Sequence, residues 1–536
     1  MKFSRTPYFT AVFSDKHPVK MQTSDDLFFL IKHLDKAEKR HFKLQAGLQK
    51  GDKDYLKLFD AMDALPWTPS ENGAISPYDE RLLKKKLGGK ISTTQLHVTK
   101  NYLYGQILKS LRSLYEEATT EMRLAVLLSE VKILEQKGLY EQVTKKLTTA
   151  KSLALKFEKY SALLELLYFE TILSARHKTQ DVEAEVSILY EAIFKSLELQ
   201  TLEIRYKSLQ NKATALYRNG TWARDAVSKE KLHIFENEPL LHPESRPATF
   251  LSKVSFHFIK ATLSQVTGDR HQAILHYKDL QAVWTGYPHF KEEYPSNYII
   301  YSSNYLVCCH LVRDYSFFPA LLDDLEKVPL RNYDEKAEAF QNIWYLRQLY
   351  FMNRQLFDIK GDLPGEAKKL VKEIQNGLVK YAPRIVKSRQ LSFYHNTAVM
   401  FFALGEYNEA MEWLVKIQQT TKTDQRKDLQ LFARLLQLII FTEKGEHLHI
   451  DNAFKAFEYH LKKEDKRHDF EGIVTVNLKQ IASRREDRRT GFTKFQEELS
   501  AFEPDKIQGY EEISIWVESK LKNTTFLEVL RGRAGA

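Results

Sequence analysis

The chain has 536 residues, and its 43% hydrophobic and 28% charged residues are close to ordinary globular usage, which excludes wholesale disorder. No run of about 18 apolar residues occurs, so no membrane-spanning helix is expected. The only two cysteines, Cys308 and Cys309, are adjacent, which excludes a disulfide framework and favours the cytoplasm. The formal net charge is +10, and residues 1–115, with 20 lysines and arginines against 12 aspartates and glutamates, hold most of this surplus.

Residues 1–23 show no helical period and are predicted to form a loose arm. Met21 stands immediately before the first helix signal, which leaves two possible translation starts, Met1 and Met21. The segment that follows, 24–119, is predicted to be a basic helical domain without internal repeats. Its surplus of positive charge favours an acidic partner, a class that includes nucleic acid, anionic lipid and acidic protein surfaces.

Helix-start and helix-stop signals divide the basic domain into four or five helices. Asp35 and Glu38 match a capping box, in which each side chain accepts a hydrogen bond from the other residue's backbone N–H. Gly88-Gly89 is expected to end a short helix that begins near Tyr78. A long helix is then predicted from about residue 92 to residue 117.

The short helix, the glycine turn and the long helix outline a possible helix-turn-helix. Lysines cluster before the turn, and one face of the long helix carries residue types that bind bases and phosphates. The candidate contacts with nucleic acid or another acidic partner are Lys84, Lys85, Lys86, Lys90, Asn101, Lys109 and Arg112. An exposed helix face is usually charged, so a solvated surface is the simpler alternative for the same residues.

Residues 120–460 repeat a short motif. A glycine or another turn residue is followed by an aromatic residue two positions later and by a small residue about three positions after that. The markers fall near residues 138, 180, 220, 268, 313, 361, 405 and 445, at separations of 40–48 residues. This spacing is typical of helix pairs stacked in a solenoid.

The clearest copy resembles a tetratricopeptide repeat. Its matching residues are Tyr394, Ala398, Phe401, Gly405, Tyr407, Ala410, Leu414 and Ile417. Ala398 and Ala410 stand where helices cross closely, and shorter matches accompany the turns at Gly138 and Gly268. The resemblance covers 120–460, with a longer period than the standard unit and without most of its prolines. It implies a right-handed superhelix of helix pairs whose concave face binds a partner.

The sequence therefore predicts an all-α protein. We expect a TPR-like right-handed α-solenoid of degenerate 40–48-residue helix pairs, preceded by a small basic helical N-terminal domain. Residues 461–536 are predicted to form a charged connection and C-terminal capping helices, including an amphipathic helix at Ile513–Leu521. The best strand candidate is the short alternation at 472–476.

The basic domain also resembles the N-terminal region of bacterial tetratricopeptide-like proteins. The segments Leu30–Leu44 and Lys100–Tyr104 carry this resemblance, which implies no known activity.

Motifs for catalysis and cofactor binding are missing from the sequence. The nearest match to a phosphate loop, residues 87–92, lacks the serine or threonine that must follow the loop lysine. His271 and His276 are five residues apart and fall on different helix faces, so the histidines are interpreted as core or surface residues. The sequence predicts no enzyme activity, no cofactor and no metal, although a site assembled from distant residues is left open.

Two functions agree with these features. The first is a non-catalytic helical-repeat adaptor or scaffold that binds a protein or peptide in its concave face. The alternative is a nucleic-acid-binding regulator that uses the basic N-terminal helices, with the repeats as a sensor or partner-binding module. The sequence leaves the partner, the pathway and the oligomeric state open.

Overall fold

Every regular element that the structure describes is helical, which confirms the predicted all-α class. The structure is a computed structural model, and contacts divide its chain into two compact units, Met1–Leu197 and Glu198–Ala536. The described residues are 23–48, 53–66, 78, 80–88, 93–176, 182–218, 232–235, 237–242, 244–355, 362–420, 427–445, 447–463, 470–483, 487–502, 507 and 509–534. The predicted arm therefore lies, apart from Thr23, outside the described residues.

The first unit begins with five helices that share one hydrophobic core. They are α1 (Thr23–His33), α2 (Lys36–Leu48), α3 (Asp54–Asp63), α4 (Glu80–Leu87) and α5 (Thr93–Leu114). The long helix α5 packs against α1, α2 and α3, whereas α4 packs mainly against α3.

Three further helices of the first unit pack against one another in chain order. They are α6 (Thr120–Gln136), α7 (Tyr140–Lys156) and α8 (Tyr160–Arg176). The next helix, α9 (Val182–Arg218), spans the boundary between the two units.

Local signals start and end the N-terminal helices where the sequence predicts. The Asp35 backbone N–H donates to Glu38 Oε2 at 2.6 Å, and the Glu38 N–H donates to Asp35 Oδ1 at 2.8 Å, which confirms the capping box. Gly88 follows α4 with a φ of +58°, a left-handed angle that glycine adopts without a steric penalty. Leu103 and Ile107 of α5 are fully buried, as the apolar stripe of this helix predicts.

The second unit contains the remaining helices. They are α10 (Phe250–Thr267), α11 (Arg270–Gly286), α12 (His289–Glu293), α13 (Pro295–Leu311), α14 (Phe318–Glu326), α15 (Tyr333–Tyr350), α16 (Leu363–Lys380), α17 (Lys387–Ala403), α18 (Tyr407–Gln419), α19 (Lys427–Lys444), α20 (His447–Lys463), α21 (Phe470–Ala482), α22 (Arg488–Leu499), α23 (Tyr510–Lys522) and α24 (Phe526–Ala534). A π-helical segment, Phe351–Gln355, extends α15.

The helices of the second unit contact one another in a regular order. Neighbours in the chain pack together, as α17 does with α18 and α21 with α22. Alternate helices also pack together, because α13 contacts α15, α15 contacts α17, α17 contacts α19, and α19 contacts α21. Helices α15, α17 and α19 therefore each pack both on a neighbour in the chain and on the alternate helices before and after them.

Most apolar residues of the clearest motif copy are buried. Ala398, Phe401, Ala410, Leu414 and Ile417 are buried, whereas Tyr394 and Tyr407 are half-buried. The turn residues Gly138, Gly268 and Gly405 have φ values of +72°, +87° and +76°. These left-handed angles give a physical reason for glycine at the repeat markers. The markers at 180, 220 and 361 lie outside the described residues.

The strand expected at 472–476 is wrong, because these residues lie inside α21. Over the wider window, Phe470, Val474, Leu478 and Ile481 are all buried. Their spacings of four, four and three residues place them on one helix face. The short alternation was therefore part of a longer helical period.

The predicted amphipathic helix at Ile513–Leu521 is present as the central part of α23. Its Trp516 is only 1% exposed. The Trp516 Nε1–H donates to Glu443 Oε1 at 3.0 Å, and Lys520 Nζ donates to Glu443 Oε2 at 2.7 Å. This helix is therefore anchored to α19 by a largely buried polar network as well as by apolar packing.

Candidate functional site

A basic groove lies beside α2 in the first unit. Its volume is about 430 Å³, and it is lined by Lys36, Lys39, Arg40, Lys43, Leu44 and Asp63. The four cations recur every three or four residues, which places them on one face of α2. Lys39 Nζ lies 2.7 Å from Asp63 Oδ1, and Lys43 Nζ lies 2.7 Å from Asp60 Oδ1. Lys36 and Arg40 have no ion-pair partner among the described residues.

Lys32 connects α1 to the end of α3 at this groove. Its Nζ donates to the backbone carbonyls of Asp63 at 2.5 Å and Leu65 at 2.7 Å. Carbonyls at a helix C-terminus lack intrahelical partners, and a cation there complements the helix dipole. Burial is the main cause of the lowered pKa of Lys32, which Asp63 opposes and which Lys39 and Lys86 reinforce. Lys86 is therefore close enough to act electrostatically on the lysine at the groove.

The structure places the predicted Lys84, Lys85 and Lys86 in the last turn of α4. Lys84 Nζ lies 3.5 Å from Glu80 Oε1, one turn earlier, whereas Lys85 and Lys86 are exposed without an ion-pair partner among the described residues. Lys90 lies outside the described residues. The lysine run thus acts electrostatically on Lys32 through Lys86 but does not line the basic groove, and the helix-turn-helix itself stays a prediction.

The other predicted contacts, Asn101, Lys109 and Arg112, lie on one exposed face of α5. The same face also exposes Val98 and Tyr102. The Tyr102 ring packs edge-on against Tyr55 of α3, with centroids 5.3 Å apart. An anchored aromatic ring beside cations can stack on a base or contact an apolar protein group. This face is therefore mixed in character, and the sequence interpretation recorded only its polar part.

The α2 cations were missed as site residues at the level of sequence. Their spacing of three and four residues was a signal that they share one face. The sequence could not indicate which of these cations form an ion pair, because the carboxylates of Asp60 and Asp63 belong to the next helix. Tertiary packing thus decides that Lys36 and Arg40, rather than Lys39 and Lys43, are the unpaired cations of the groove.

The second candidate surface is an apolar stripe on α9, formed by Tyr190, Phe194 and Leu197. These side chains are 42%, 64% and 44% exposed, and the rings of Tyr190 and Phe194 lie 6.3 Å apart between centroids. Spacings of four and three residues place them in one line, as in a helix that binds another helix. Exposed apolar groups in a contiguous patch commonly mark an interaction surface. Ile188, which is 66% exposed, lies on another side of the same helix.

The two cysteines pack in the interior of the second unit. Cys308 and Cys309 are free and buried in α13. Burial raises the pKa of each thiol to about 12. Because the thiolate is the reactive form, neither group is activated for nucleophilic or redox chemistry at neutral pH.

No protein-family model, curated protein or solved structure matches the chain. Among the described residues, no helix combines the length and the apolar character needed to cross a bilayer. The basic groove and the apolar stripe are therefore the two surfaces from which a function can be inferred.

Proposed function

We propose that this chain is a non-catalytic helical-repeat scaffold that binds a protein or peptide partner. The apolar stripe carries the proposal, because three large apolar side chains in a line on one helix favour a second helix as the ligand. Buried repeat positions, left-handed turn glycines and contacts between alternate helices support a solenoid of tetratricopeptide-like pairs. In such a right-handed superhelix, the inner helices would offer a further, concave binding face. The free cysteines agree with the expected cytoplasmic location.

Charge introduced into the apolar stripe is expected to abolish partner binding while the fold is retained. Phe194→Glu with Leu197→Glu places two carboxylates where an apolar helix face would be desolvated, and a buried unpaired charge is costly. Affinity capture from lysate of the source cells, with quantitative mass spectrometry, should show at least about a tenfold loss of one or more stoichiometric partners.

Ile188→Glu is the matched control for this experiment. It adds a carboxylate at an equally exposed position of α9, outside the stripe, and is expected to keep the captured proteins unchanged. Equal capture by the stripe variant and the control would refute the apolar stripe as the binding surface. A wild-type chain that captures no stoichiometric partner would refute the scaffold proposal.

A second candidate function is supported by the unpaired cations. Lys36 and Arg40 line the basic groove without an ion-pair partner among the described residues, and Lys86 adds an exposed positive charge on α4 of the same helical module. Clustered lysines and arginines on one face form the electrostatic footprint of a nucleic-acid-binding protein. In this function the basic module binds DNA or RNA, and the repeats act as a sensor or partner-binding module.

The nucleic-acid function predicts salt-sensitive binding by the whole chain. The triple variant K36E/R40E/K86E should weaken binding to fluorescent duplex DNA or RNA. It should also reduce the slope of log affinity against log salt by about 2–3, since each phosphate contact contributes about 0.9. Fluorescence anisotropy over a salt series measures both quantities.

The matched control K336E/K372E/K455E makes the same change in net charge at exposed lysines of the second unit. It is expected to lower affinity much less, because those lysines do not line the groove. No binding by the wild-type chain at low salt would eliminate this candidate, and so would equal losses in the two triple variants.

A further inference from the structure

The helix pair α10–α11 brings together three side chains with metal-binding atoms. His257 lies on α10, and His276 and Asp279 lie on α11. His276 and Asp279 are three residues apart and therefore project from the same face of their helix. Ala261 and Ala273 are fully buried where the two helices meet, and such small residues let the backbones approach closely. The hairpin thus places His257 opposite the other two groups.

The three groups are near the separation that one metal ion requires. One ligand atom from each of them lies within 4.8 Å of the others, and His257 Nδ1 is 3.8 Å from Asp279 Oδ2. A tetrahedral Zn²⁺ ion with bonds of about 2.0–2.2 Å holds its ligand atoms about 3.3 Å apart. Small side-chain rotations, without any change in the helices, would close the group around an ion.

The hydrogen bonding of the histidines also indicates a missing ligand. The Nδ1 atoms of His257 and His276 are buried and have no hydrogen-bond partner among the described residues. Buried polar atoms in proteins nearly always have a partner, so a histidine that only fills space in a core would normally be satisfied. Two such nitrogens and one neighbouring carboxylate provide three groups that could donate electron pairs to a metal ion.

The electrostatics of the cluster contain one feature that favours a cation and one that opposes it. Burial lowers the pKa of both imidazoles, which favours the neutral form that binds metals. Lys260, one turn after His257, opposes a cation because its positive charge acts on His276. Burial lowers the pKa of Lys260 as well.

We propose that His257, His276 and Asp279 form a binding site for a divalent transition-metal ion, best suited to Zn²⁺. Imidazole and carboxylate are ordinary zinc ligands, and three protein ligands leave a fourth position for water. Asp279 is exposed, so an ion can reach the site from solvent. The ion would tie α10 to α11 by its bonds to the side chains.

Isothermal titration of the whole chain with ZnCl₂ tests the proposal. The wild-type chain is expected to bind one Zn²⁺ ion. The affinity for this ion should fall by about tenfold or more in H257A and in H276A. D279N should weaken binding less, because an amide oxygen remains. Circular dichroism on each variant establishes that the helices are retained, and the more conservative H257Q and H276Q replace any alanine variant that is not folded.

Two further variants distinguish this site from adventitious binding. His271 is an exposed histidine of α11 outside the cluster, so H271A should keep the wild-type affinity. K260M removes the opposing cation and should tighten Zn²⁺ binding by about threefold or more. Co²⁺ added instead of Zn²⁺ should produce the visible absorption of a tetrahedral site in the wild type and not in H257Q/H276Q.

The proposal is overturned if H257Q/H276Q binds Zn²⁺ with the same stoichiometry and affinity as the wild type. It is equally overturned if the wild-type chain binds no Zn²⁺, or if H271A loses as much affinity as the variants of the cluster.

Discussion

Replacing Trp516 with alanine is expected to destabilise the second unit by about 3–5 kcal/mol, the usual cost of deleting a buried aromatic side chain. The ring packs edge-on against Phe492 and Phe495, at centroid separations of 5.3 and 6.5 Å. The substitution leaves a cavity between α22 and α23. It also removes one of the two side-chain hydrogen-bond donors of Glu443, whose carboxylate is largely buried.

Urea unfolding followed by circular dichroism measures this loss. W516F keeps most of the ring volume and loses the indole N–H, so it should cost only about 1–2 kcal/mol. V476A, at an exposed position of α21, serves as the control and should change stability by no more than about 0.5 kcal/mol. Similar unfolding midpoints for W516A and V476A would show that Trp516 does not anchor α23.

Gly509 is the position of the second large effect, and Gly509→Ala is expected to destabilise the second unit by about 2–5 kcal/mol. Gly509 precedes α23 with a φ of +85°, and a left-handed angle costs other residues about 1–2 kcal/mol. A Cβ atom there would also collide with the ring of Phe432, which lies in the tightly packed core. Overpacking of this kind costs about 1–3 kcal/mol.

Gly105→Ala is the control, and its expected effect has the opposite sign. Gly105 lies inside α5, and a Cβ atom there would meet nothing within 4 Å. Alanine in a helix interior is more favourable than glycine by about 0.5–1 kcal/mol, so G105A should be slightly stabilising. Differential scanning calorimetry of both variants measures the two shifts. A stabilising G509A would contradict both the backbone angle and the close approach of Phe432.

The helices and turns of this fold could be predicted from sequence, because the residues that start and end them are close together in the chain. The capping box at Asp35 and Glu38 depends on residues three positions apart. Gly138, Gly268 and Gly405 mark turns through their own backbone angles. The alternation at 472–476 led to a wrong strand prediction, because five residues are too few to distinguish a strand period of 2 from a helix period of 3.6.

The candidate sites were harder to predict from sequence, because they depend on which helices pack against one another. Seven residues were predicted as contacts of the basic domain, yet the groove is formed largely by other cations, among them Lys36 and Arg40. His276 was interpreted at the level of sequence as a surface or core histidine, and His257, which lies 19 residues earlier on another helix, was not singled out. Only the packing of α10 on α11 brings them together, and no spacing rule within one helix could have found the pair.

The carboxylate of Glu443 has an evolutionary consequence. It accepts hydrogen bonds from Trp516 and Lys520, which follow it by 73 and 77 residues in the chain. A mutation that removes Glu443 leaves two donors unpaired at once, and a mutation of either donor leaves the carboxylate with less compensation for its burial. We therefore expect single substitutions at all three positions to be disfavoured. If homologous sequences are compared, these distant positions are expected to covary, because a change at one removes a hydrogen-bond partner of the others.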